Sequence, residues 1–182
     1  MIVQNIENLK YPIGRFTKGQ AYTLNDTLLN MDSFKNFPQK LNELVKNWDD
    51  KILAGTYREE GWNGRQVIHH LADSHANCMI RFKTAMVDEN AKVKPYAEDK
   101  WAELHDAAKG DIAPSLLIIE GVHARLSDLF KNLKEADWKK TIFHPENKHI
   151  FTVAELLALY NWHGKHHYAH LKLVEQNYKT KS

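Results

Sequence analysis

The chain has 182 residues, 43% of them hydrophobic and 26% charged, an ordinary balance for one soluble domain spanning 1–182 with a real core. Its formal net charge is +2, with Lys and Arg scattered among Asp and Glu, so no basic stripe for nucleic acid stands out. No apolar run is long enough for a membrane span, no basic-then-apolar leader opens the chain, and the single cysteine, Cys78, allows no internal disulfide, so a cytoplasmic protein is expected.

Residues 1–20 carry Pro12, Gly14 and Gly19 and read as an irregular arm. From about Leu24 to Leu53 the apolar residues Phe37, Leu41, Leu44, Val45, Trp48 and Ile52 recur at helical spacing. Pro38 should kink that helix or start a second one. Asn63, with Gln66 three residues on, is a loose capping box for the next helix, whose apolar stripe is Val67, Leu71, Cys78, Phe82 and Ala85. Pro95 breaks the chain, and a short helix is expected around Trp101. Pro114 suits the first turn of a third long helix striped by Ile119, Val122, Leu126, Leu129 and Leu133. Residues 137–151 read as a connection with room for a short hairpin, and no alternating strand pattern stands out. Thr152 and Glu155 form a capping box for the last helix, expected to reach about Gln176. The expected fold is all-α, a four-helix bundle.

On the last helix, Leu156, Tyr160, His163, His167, His170 and Val174 lie four or three residues apart and so form one stripe. A buried imidazole wants partners for both ring nitrogens. One such histidine is ordinarily a hydrogen-bonded core residue. Three along one stripe point to something bound, and His163 and His167 have the spacing of an HxxxH metal pair. A third ligand would come from the helix carrying His69, His70 and His75. There His70 lies at the edge of the apolar arc, beside Ser74, Asn77 and Arg81. His75 falls within the arc, as a satisfied core histidine or a support for the ligands. His69 points nearly opposite and is expected to face solvent. The wheel favours His70 without excluding His75. Three histidines leave one tetrahedral position open, as catalytic rather than structural zinc sites do, and their softness favours Zn, Ni, Fe or Cu over Mg or Ca.

The segments GWNGRQVIHHLADSHANCMIRFK (61–83), KPYAEDKWAEL (94–104), HPENK (144–148) and YNWHGKHHYAH (160–170) together resemble the DinB/YfiT-like superfamily, most of all its YfiT branch of metal-dependent hydrolases. The likeness covers nearly the whole chain. It implies a four-helix bundle with a three-histidine site for zinc or nickel, one ion per chain. Motif by motif, the ligands would be His70 directly before Leu71, then His163 and His167 as the first and last histidines of WHGKHH. Members of the family are typically cytoplasmic and often homodimeric. Relatives usually place Thr or Ser at the cap where this chain has Asn63-Gly64, and both choices cap adequately.

The resemblance implies hydrolysis of a small-molecule substrate by metal-activated water. Other branches of the superfamily are thiol S-transferases that use low-molecular-weight thiols such as bacillithiol. A third possibility is a non-enzymatic, metal-stabilised binding module. Arg81 is a candidate for a substrate carboxylate or phosphate, or for an ordinary ion pair. Glu103 and Asp73 are candidates for a general base or for carboxylates supporting the ligand histidines, against the plainer reading of solvated charges. Trp101, Tyr96 and His144 could wall the open face. Cys78 reads as core packing, and His105, His123 and His149 carry no spacing argument.

Overall fold

A computed structural model describes residues 6–181, so the first five residues of the expected N-terminal arm lie outside the described residues. The rest of the arm is not wholly irregular. It opens with α1 (Ile6–Lys10) and then runs extended, with Gly14 and Gly19 at φ 78° and 76°, a region that favours glycine.

Four long helices make the bundle: α2 (Leu24–Val45), α4 (Gly64–Val87), α7 (Ala113–Lys131) and α9 (Val153–Lys181). Both α4 and α2 pack along α7 and α9. Between them lie the short helices α3 (Asp50–Leu53), α5 (Glu98–Ala102), α6 (His105–Lys109) and α8 (Glu135–Trp138), and an antiparallel hairpin of β1 (Thr141–His144) and β2 (His149–Thr152). Among the described residues no helix is long and apolar enough to cross a membrane.

Local chemistry explains where the four long helices start. Thr23 and Asp26 form a capping box at the start of α2, and Asn63 and Gln66 do the same for α4. Pro114 sits in the first turn of α7, as expected. The expected Leu24–Leu53 helix is instead two, and the break is not at Pro38. It falls before Asp49, whose carboxylate accepts from the Ile52 N–H and caps α3. Pro38 stays inside α2 and is buried. Having no N–H, it leaves the carbonyl of Phe34, four residues back, without its helical partner. At Thr152 only half the expected box forms. The hydroxyl accepts from the Glu155 N–H, while the Glu155 carboxylate accepts from the Gly19 N–H at 2.7 Å and pins the N-terminal arm to α9.

Two apolar clusters fill the bundle. One gathers Phe34, Phe82, Leu126, Phe130, Ile142 and Leu156, and the other gathers Leu41, Val45, Ile68, Leu71, Ile119 and Val174. Leu71 is fully buried beside His70, and truncating it to Ala would cost about 2–5 kcal/mol. Cys78 is buried in the first cluster, and burial pushes its thiol well above the usual range, so it packs as a small hydrophobe.

Candidate metal centre

The capping box at Asn63 fixes where α4 begins, and so which way His70 points. On α9, the cap at Thr152 sets the phase of His163 and His167. At the crossing of the two helices, one nitrogen each from His70, His163 and His167 lies within 4.8 Å of the others. The Nε2 atoms of His70 and His163 are 3.1 Å apart. The ring centroids of His167 stand 4.6 Å from His163 and 4.7 Å from His70. Among the described residues no other His, Cys, Asp or Glu joins this triad.

The triad is electrostatically prepared for a cation. Burial, reinforced by the neighbouring imidazoles, holds His163 and His167 well below the usual histidine range, and burial lowers His70 to about 4. All three are therefore neutral at pH 7 and keep a lone pair to donate. Two nitrogens bound to one tetrahedral ion at roughly 2.0–2.1 Å stand about 3.3 Å apart. The observed 3.1 Å is close to that spacing. The residues present thus fit a divalent transition ion.

A second histidine group, His166, His167 and His170, lies beside the first on α9, also within 4.8 Å. His170 Nδ1 is 3.3 Å from His167 Nδ1, and His170 Nε2 is 3.2 Å from the Lys10 carbonyl. Since a carbonyl only accepts, His170 carries its proton on Nε2. Its Nδ1 then accepts from His167 Nδ1–H, which leaves His167 Nε2 as the lone pair for the triad.

A cleft of about 560 Å³ opens on His163 and is walled by Arg81, Tyr96, Glu98, His144 and Tyr160. A groove of about 430 Å³, lined by Tyr57, Arg58, Trp62, Glu98, His167 and His170, reaches the triad at His167. Arg81 donates from Nη1 to the Tyr160 hydroxyl at 2.7 Å, and its buried Nε has no partner. Among the described residues it pairs with no carboxylate. Glu98 stands exposed on the rim shared by cleft and groove. The protein mass behind it, then Asp99 and Glu146, raises its pKa, with Arg81 opposing.

The sequence candidates separate clearly here. His70, His163 and His167 come together, and Arg81, Tyr96 and His144 reach the cleft. Trp101 packs against Tyr96 at a tilt, with ring centroids 4.7 Å apart, but lines a different depression. Glu103 is exposed at the end of α5 and lines neither cavity. Asp73 lines neither cavity either; burial, then Asp106, raises it to about 6.

His69 does not face solvent as its wheel position suggested. It is buried, with Nδ1 2.7 Å from the Ser115 hydroxyl and Nε2 3.5 Å from the Gly110 carbonyl. The wheel allowed α4 one buried face, whereas α6 and α7 cover a second. Glu98 was not singled out from sequence. The usable signal was the segment 94–104, which supplies Tyr96, Glu98, Asp99 and Lys100 to the cleft.

The comparisons with known proteins agree with this architecture. Residues 33–171 match the DinB superfamily, and the chain belongs to that family. A protein of Bacillus mycoides named "Putative metal-dependent hydrolase" is 40% identical over 173 residues, covering 94% of this chain and 98% of its own. YfiT of Bacillus subtilis, which carries the same description, is 37% identical over 164 residues, covering 90% of this chain and 92% of its own. The solved structure of Bacillus subtilis YfiT, described as a probable metal-dependent hydrolase with an unusual four-helix bundle topology, superposes with a TM-score of 0.91. That match has 35% identity and covers 94% of this chain and 98% of the other.

Proposed function

We propose that this chain is a metal-dependent hydrolase of small anionic molecules. One observation carries the reading: three neutral imidazoles converge beside an open cleft, and among the described residues no fourth His, Cys, Asp or Glu joins them to close their coordination. His70, His163 and His167 would hold one zinc or nickel ion per chain. Such an ion supplies Lewis acidity and lowers the pKa of a coordinated water toward about 7.

The chain's own groups then have separate tasks. Arg81, braced by Tyr160 and lacking a carboxylate partner, receives a substrate carboxylate or phosphate through its free N–H groups. That contact turns the scissile group toward His163. Glu98 and Asp99 share the rim common to both cavities, and Glu98 is the carboxylate that would take up a proton. Its raised pKa brings it nearer to neutrality, where a general base works best. Tyr96 and His144 narrow the cleft around the substrate.

The test is a hydrolysis screen of esters and amides that carry a carboxylate or phosphate, using chelated protein and protein reloaded with zinc or nickel. Turnover that appears only after reloading, and without added thiol, supports the hydrolase. Turnover that strictly requires a low-molecular-weight thiol assigns the site to an S-transferase instead. Full activity after verified metal removal contradicts both.

A further inference from the structure

His163 has a second nitrogen, Nδ1, that is buried and has no hydrogen-bond partner among the described residues. So has His75, whose Nε2 is equally orphaned although the residue is wholly buried. An unpaired polar atom in such a place is destabilising, because it has given up water without gaining a partner. The two rings are neighbours, with centroids 5.9 Å apart and planes inclined at 41°.

The proton positions in the neighbouring chain of contacts are fixed by its far end. His123 Nδ1 lies 2.6 Å from the Phe34 carbonyl, which can only accept, so His123 carries its proton on Nδ1. His123 Nε2 is then a lone pair. It lies 2.7 Å from His75 Nδ1, so His75 must donate from Nδ1. His75 Nε2 is therefore a bare acceptor, and its ring lies beside Tyr160 and His163 of α9, at centroid distances of 5.7 and 5.9 Å. If His163 gives its Nε2 lone pair to an ion, its own proton must sit on Nδ1. The two orphaned atoms are a donor and an acceptor that match.

We propose that His123 and His75 form a buried relay that orients His163, running from the Phe34 carbonyl through both imidazoles to His163 Nδ1–H. A modest turn of the His163 ring, or one buried water, completes the last link; the bonded His75–His123 rings are 4.8 Å apart by comparison. The anchor exists because of Pro38, which cannot donate to the Phe34 carbonyl and so frees it for His123. Stacking fixes the plane of the relay. Phe34 lies on His123 at 3.8 Å and Phe37 on His75 at 5.8 Å. His75 and His123 are positioning residues, and neither lines the cleft. With His170 and the Lys10 carbonyl behind His167, two of the three histidines of the triad end on backbone carbonyls.

The inference rests on the metal-centre reading, and its test starts from the metal-free full chain so that the two can fail separately. Long-range proton–nitrogen NMR at neutral pH should find His123, His75 and His163 protonated on Nδ1. His163 protonated on Nε2 overturns the relay, whatever the protein's metal content. His75→Phe should weaken Zn²⁺ binding about 10–100-fold in competition with a chelator, and His75→Gln, which keeps an acceptor near the Nε2 position, should recover most of it. Equal Zn²⁺ affinity in wild type and His75→Phe overturns the relay. So does an equal loss in the Phe and Gln variants, which marks His75 as packing alone. If His75→Phe does not fold, Pro38→Ala restores a competing N–H at the Phe34 carbonyl and should mix the His123 tautomers. An unmixed His123 in that variant counts against the anchor.

Discussion

His70 Nε2 and His163 Nε2, 93 residues apart in sequence, stand 3.1 Å apart where α4 crosses α9. Two neutral imidazoles at that distance can share only one proton, so one of the pair must present a lone pair to the other. A cation bound between them would use both lone pairs. This pairing, more than the number of histidines on α9, distinguishes the site from a polar seam.

Removing a ligand should therefore empty the site. His163→Ala and His167→Ala should each lose nearly all bound zinc by elemental analysis, and so should His70→Ala. His69→Ala should keep its metal but melt earlier, because it leaves Ser115 unpartnered inside the bundle, at a cost of about 1–3 kcal/mol. Metal loss in His69→Ala with retention in His70→Ala would mean that α4 is turned by one residue.

Acid should destabilise the metal-free bundle in a defined window. Burial holds His70, His123, His166 and His170 near a pKa of about 4 in the fold, against roughly 6.5 in the unfolded chain. Between those values the unfolded state binds more protons, so stability falls as pH drops, by up to about 1.4 kcal/mol per pH unit for each such group. Asp73, raised to about 6, and Glu98, also raised, work in the opposite direction, but they are two groups against several. The melting temperature of the metal-free protein should fall steeply from about pH 6.5 toward 4. A flat profile across that range would contradict the burial of these imidazoles.

Arg81 should select for charge in the substrate. Arg81→Met should lower kcat/KM for an anionic substrate by roughly 10–100-fold, the loss of one or two charge-assisted hydrogen bonds. A neutral analogue should be turned over much as before. An equal fall for both substrates would reduce Arg81 to a brace for Tyr160.

Among the carboxylates, Glu98→Gln should lower kcat by about 10²–10⁴-fold while metal content stays unchanged. Glu103→Gln should have little effect, because Glu103 is exposed and lines neither cavity. If Glu98→Gln is fully active, proton transfer does not pass through the rim.

Much of this was legible in the sequence because it is local. The four-and-three spacing of His163, His167 and His170 follows from helix geometry alone, and the caps at Thr152 and Asn63 fix the phase of that geometry. The two four-residue strands of the hairpin are too short to carry an alternating pattern. The burial of His69 was not legible, because it depends on α6 and α7 folding over α4. Nor was the contact between His75 and His123, which spans 48 residues and joins two helices whose packing order no periodicity reveals. Pro38 was legible as a helix disturbance, but its consequence, a carbonyl freed for His123, needed the bundle in place.

The central claim is best tested by anomalous diffraction at the zinc edge on crystals of the zinc-loaded chain. One peak per chain should lie roughly 2.0–2.1 Å from a nitrogen of each of His70, His163 and His167. For His163 and His167 that nitrogen should be Nε2. A peak held instead by His166 and His170, or no ordered peak at full zinc occupancy in solution, would contradict the assignment.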